Sequence, residues 1–160
     1  MQKEIQPLIQ QLKESYEGDP WFGRNMQIIL SEINAELAVQ KPANNQHSIL
    51  ELLYHVINWR QFTINRLQGP LKNDLQHFEQ HDWQQLDHSD KTLWDKGLQE
   101  LQFTQQKLLE LLNNMNAEQL NEPVKERSYT NSYLINGIIQ HDIYHLGQIA
   151  YIKKLLTASE

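Results

Sequence analysis

Residues 138–149 read IIQHDIYHLGQI, and how this stretch folds decides the class of the whole chain. It holds no proline, and a stripe with three-and-four spacing runs through it: Leu134, Ile138, His141, His145, Gln148 and Ile152, the pattern of one face of an α-helix. His141 and His145 stand four apart on that face, which places their Cβ atoms roughly 6 Å apart and aims both rings the same way. Buried imidazoles cost desolvation unless their nitrogens are satisfied, and a divalent cation satisfies several at once. A third histidine, His55, lies in LLYHVINW (residues 52–59), where Leu52, His55, Trp59 and Phe62 form a second apolar stripe. Two such helices packed side by side would bring three imidazoles together and leave coordination positions open.

The rest of the chain reads as further helices with punctuated joints. Ser48-Ile49-Leu50-Glu51 is a capping box that starts the His55 helix, and Gly69-Pro70 stops it. Thr130 or Asn131 caps the last helix, which runs to about Leu156. Near the start, Ile5, Leu8, Ile9, Leu12 and Tyr16 mark a helix closed by Gly18-Asp19-Pro20. Trp21-Phe22-Gly23 is expected to form an aromatic plug in a turn, before a shorter helical piece from Met26 to about Leu37. A third long helix begins near Ser89 or Asp90, with the stripe Trp94, Leu98, Leu101, Gln105, Leu108, Leu112 and Met115. Residues 71–89 are polar and rich in histidine without a clean period, the pattern of a surface connection with at most one short helix. Ala117 to Pro123 holds a brief helical turn. With no internal repeat and no strand pattern, the expectation is all-α: residues 1–160 as a single domain, a four-helix bundle with a long crossover connection between helices two and three.

Composition narrows the chemistry. A chain of 160 residues is long enough to bury about 70% of its unfolded surface. Cysteine is absent, which excludes disulfides, a thiolate nucleophile and cysteine-type zinc sites, so any metal must use nitrogen and oxygen ligands. The net charge of −6, with no Lys/Arg cluster, argues against nucleic-acid binding. No segment has the roughly 20 apolar residues of a membrane span, and the polar start is no secretory signal, so a cytoplasmic, membrane-free protein is expected.

Each histidine also has a plainer reading, as a core residue satisfied by a carbonyl or a water. Three of them on two inward faces favour a metal, and a neutral His₃ set suits Zn, Ni, Fe or Mn alike. His77, His81 and His88 lie in HFEQHDWQQLDHSD, a polar context that lacks an apolar stripe, and read as solvated. His47, just before the capping box, reads as exposed. Gln148 points inward and is expected to hydrogen-bond a ligand ring, a substrate or another helix. Asp142 is a candidate to orient an imidazole from behind, with a surface carboxylate as the alternative. Trp59 is a candidate wall of the site or an ordinary core ring, and Gly147 leaves room for another helix or a second copy. No glutamate stands within the His141–His145 pair as in HExxH, and neither a phosphate loop nor a nucleophile elbow appears. Catalysis, if present, falls to the ion.

At Trp21-Phe22-Gly23, at HSILELLYHVINWR (residues 47–60) and at QHDIYHLGQI (residues 140–149) followed by Lys153-Lys154, the chain resembles the DinB-like superfamily across nearly its whole length. The resemblance implies a helical bundle that forms a homodimer and binds a divalent metal through the residues matching His55, His141 and His145. It also implies a choice of activities, because relatives include metal-dependent transferases that add low-molecular-weight thiols to small electrophilic substrates, a thiol-dependent isomerase and metal-dependent hydrolases. The expected function is therefore activation of a thiol or water nucleophile. The alternative is a non-enzymatic metal- or small-ligand-binding dimer of a stress response.

Overall fold

The computed structural model describes residues 4–44 and 46–158. Among these there are eight helices and no strand beyond an isolated bridge between Pro123 and Thr130. The long ones are α1 (Gln6–Glu17), α4 (Ile49–Leu67), α6 (Thr92–Asn114) and α8 (Asn131–Thr157). Short helices α2 (Met26–Ser31), α3 (Ala35–Ala38), α5 (Leu75–Gln80) and α7 (Ala117–Leu120) fill the connections. α4 packs on both α6 and α8, and α1 packs on the same two helices.

Local chemistry explains the boundaries. The Ser48 hydroxyl accepts from the Glu51 amide at 3.2 Å while the Glu51 carboxylate accepts from the Ser48 amide at 2.7 Å, closing the expected box at the start of α4. Thr130 caps α8, and Gly69, at φ +108°, takes the left-handed turn that follows α4. Asp90 accepts from the amide and hydroxyl of Thr92, which sets the start of α6. Gly97 lets α6 approach α4 closely: a Cβ there would stand 2.8 Å from a Leu53 methyl.

Two local expectations are corrected. The piece from Met26 to about Leu37 is broken into α2 and α3, because the Asn34 side chain accepts from the Leu37 amide and begins a new helix. Trp21-Phe22-Gly23 does form a turn, but no plug. Trp21 is fully exposed and Phe22 is 46% exposed.

The described core has three apolar clusters. One lies between α4, α6 and the α2–α3 segment, one gathers α1 against α6 and α8, and a small aromatic one joins Phe62 of α4 to Phe78 of α5, Val124 and Leu134. The third cluster matters most for the site. It seats α5 on α4, helped by the buried Asn58 amide, which donates to the Phe78 carbonyl at 2.9 Å. The chain leaving α5 is thereby steered back across His55.

Candidate metal centre

α4 supplies His55 and α8 supplies His141 and His145. The three rings meet as the helical spacing requires, each offering a nitrogen within 4.8 Å of the others. His55 Nε2 and His141 Nε2 are 3.0 Å apart, and the ring centroids lie 4.4–5.0 Å apart. His55 and His145 are buried and His141 is half-buried.

The protons of two rings are fixed from behind. His55 Nδ1 lies 3.0 Å from the Asp82 backbone carbonyl and 3.0 Å from its carboxylate. His145 Nδ1 lies 2.6 Å from Gln148 Oε1. All these partners are acceptors, so each Nδ1 carries the hydrogen and each Nε2 presents a lone pair inward. Nitrogens of three rings gathered this closely suit a divalent cation, and no carboxylate joins the group among the described residues.

Burial pushes all three imidazole pKa values down, His141 to about 3 with His145 and His55 adding mutual repulsion. Neutral rings are the form that ligates metal. The sign for stability follows. Between the unperturbed 6.5 and about 3 the unfolded chain binds protons that folded His141 refuses, so stability falls as the pH drops through that window and is insensitive to this group above it. Urea unfolding of metal-free protein from about pH 7 to about pH 4 should show this loss, and His141→Gln should flatten part of the slope.

Gln148 thus bonds the His145 ring. Trp59 also belongs to the site, although through its polar edge: the indole N–H donates to the Asp82 carboxylate at 2.6 Å and so holds the group that holds His55. Asp142 is corrected on both of its readings. It touches no imidazole and does not reach the surface. It is fully buried, and its Oδ2 accepts from Nε of Arg60 of α4 at 2.9 Å and lies 2.8 Å from Nη2. Arg60 is also fully buried, reaching towards the Thr104 hydroxyl of α6 at 3.4 Å and lying under the Tyr16 ring. This pair ties the helix of His55 to the helix of His141 and His145.

The connection at residues 71–89 is more than a surface loop. Asp82 and Trp83 lie on it, and the Trp83 ring stacks between His55, at 4.0 Å between centroids, and His47, at 3.7 Å. His47 is exposed as expected, yet it caps this stack. His77 and His81 stay apart from the triad, paired with each other on α5 and its end. His88 comes within 3.5 Å of the Glu51 carboxylate, which Lys41 also holds at 3.0 Å. Beside the triad opens a cavity of about 590 Å³ whose walls include His47, Trp83, Tyr144, His145, Gln148 and Tyr151.

A helical chain whose second and last long helices bring three imidazoles together has a histidine cluster that could hold a metal ion. The family model described as DinB superfamily matches residues 21–149, and the chain belongs to that family. Among solved structures it is similar to a conserved protein from Enterococcus faecalis, with a TM-score of 0.61 and 16% identity over 98% of this chain and 95% of that one, a likeness of fold. No curated protein sequence matches it. No helix among the described residues is long and apolar enough to cross a membrane.

Proposed function

We propose that this protein is a divalent-metal-dependent enzyme that activates a thiol or water nucleophile, a thiol transferase or hydrolase in class. The observation that carries the reading is the set of three imidazole nitrogens within 4.8 Å of one another, beside an open cavity. Three protein ligands leave coordination positions for exchangeable groups, which is the arrangement of catalytic rather than structural sites. When bound, the ion would supply Lewis acidity and lower the pKa of a thiol or water held against it.

The chain's own residues do the rest. Asp82 and Gln148 keep the hydrogen on Nδ1 of His55 and His145, so that neither ring can turn its lone pair away. Trp83 covers one side of His55 and limits water there, while Tyr144 stands edge-on to His145 at the cavity wall. Asp82 is engaged by both His55 and Trp59, which leaves no free carboxylate beside the triad among the described residues to serve as general base. That shortage favours a nucleophile that ionises easily, and a thiol ionises more easily than water. A homodimer belongs to this reading, with the open face of α8 around Gly147 and the exposed rings of Tyr144 and Tyr151 as the surface where a second copy has room.

The deciding assay loads the purified protein with Zn, Ni, Fe or Mn in turn. Each form is then offered a simple thiol with a chloromethyl arene, and separately a panel of esters and amides. Conjugation that needs both metal and triad supports the transferase, and hydrolysis alone supports the second enzyme class. Strong metal-induced thermal stabilisation without turnover on either panel would leave the ion as a staple between α4 and α8 and sink the enzymatic reading.

A further inference from the structure

A second, smaller recess adjoins the triad. It measures about 150 Å³ and is lined by Trp59, Phe62, Tyr129, Tyr133, Ile138 and His141, among others, with Gly137 in its wall. His141 belongs both to the triad and to this recess, whereas His145 lines the large cavity. The triad is thus approached by two separate spaces.

Size and charge select the occupant of the small one. A volume near 150 Å³ is that of an apolar cavity known to take a benzene-sized molecule. The walls are mostly aromatic. Trp59 meets Phe62 edge-on at 5.4 Å, and Tyr129 and Tyr133 lie 5.0 Å apart. Tyr129 is held by the short bridge at the foot of α8, where the Val124 amide donates to its carbonyl at 2.8 Å. Such rings alone would also suit a cation, but Arg66 lies over Phe62 at 4.6 Å and Arg127 at 5.6 Å. Arg66 is paired with Glu126 at 2.7 Å, and the Arg127 guanidinium beside this wall disfavours a positive ligand. The wall offers no free carboxylate, and the Thr63 hydroxyl is already committed to the Trp59 carbonyl at 3.0 Å.

We propose that this recess is a subsite for a neutral aromatic ring of the electrophilic substrate, placed against His141, while the thiol enters by the large cavity. The inference rests on the transferase reading of the triad. In the corresponding step with a chloromethyl arene, the sulfur–carbon bond forms at the benzylic carbon. The carbon–chlorine bond breaks, chloride leaves with the electron pair, and the thiol proton passes to solvent.

Gly137 provides a clean test, because a Cβ there would meet nothing within 4 Å. Gly137→Leu projects into the recess, and replacing a helix-interior glycine gains helix propensity, so the fold should survive. The probe is 4-nitrobenzyl alcohol, unreactive and neutral, titrated into metal-free protein and followed by amide chemical shifts. The expected result is shifts at Tyr129, Tyr133 and Gly137, with affinity reduced about tenfold or more in Gly137→Leu and retained in Phe103→Leu, a change on the exposed face of α6. Circular dichroism and metal content check that both variants are intact.

Shifts confined to the large cavity, or no saturable shift at millimolar probe, would overturn the proposal. So would shifts at Tyr133 and Gly137 that vary with protein concentration without probe, since a second copy would then fill the recess. Turnover plays no part in this experiment. A ring that binds here in a protein without transferase activity leaves the subsite standing and removes the transferase. Conjugation with no binding here removes the subsite alone.

Discussion

Asp142→Leu is expected to destabilise the protein by about 3–5 kcal/mol, a loss of roughly 10–15 °C in Tm for a chain of this size. The reason is the stranded partner. Arg60 is fully buried and its guanidinium meets Asp142 Oδ2 at 2.8–2.9 Å, so removing the carboxylate leaves an unpaired charge among α4, α6 and α8. Burial already pushes the Asp142 carboxyl pKa up against the pull of Arg60, which shows how costly charge is at this depth. The double variant Arg60→Met/Asp142→Leu should recover most of the loss, because apolar residues of similar volume replace an ion pair at little net cost. Thermal melts of the four proteins of this cycle, all metal-free, check the result. A double variant as unstable as the single one would mean that the pair contributes specific geometry rather than neutralisation.

The second large effect concerns the ion. Wild-type protein should bind about one divalent ion per site and gain about 2.7 kcal/mol when free metal reaches a hundredfold excess over Kd. His55→Ala, His141→Ala and His145→Ala should each lose that gain, because two imidazoles hold such an ion far less tightly than three. Asp82→Asn should retain the site but weaken it about 10–100-fold, since Asp82 acts through His55 Nδ1. Metal analysis after dialysis, with melts against metal concentration, reads all four variants. Unchanged metal content in the alanine variants would remove the centre from this place, whatever happens to activity.

The ease of reading the triad and the difficulty of reading its supports have one cause. His141 and His145 are related by local helical spacing, and His55 sits in a stripe of its own, so short-range pattern sufficed. Helix ends such as Ser48–Glu51 and Thr130 were equally local. Asp82 stands 27 residues from His55 in a polar run, and the only hint of its importance was the large ring of Trp83 beside it. Asp142 carried a signal that proximity to His141 obscured. Consecutive helical residues point about 100° apart, so Asp142 shares its face with Ile135, Ile139, Leu146 and Ile149, all buried. Arg60 lies in the same way among Leu53, Val56, Ile57 and Ile64. A charge on an apolar stripe announces a buried partner, but it does not name one.

By itself, then, the sequence determined the all-α class, most helix boundaries and the three histidines, because each rests on contacts within a few turns of one helix. Only the tertiary structure decided that Asp142 pairs with Arg60, that Asp82 and Trp83 fold back over His55, and that two cavities meet at the triad. Those contacts join residues 27 to 82 apart. Their geometry depends on how helices pack and where a connection is seated, and no periodicity along the chain encodes it.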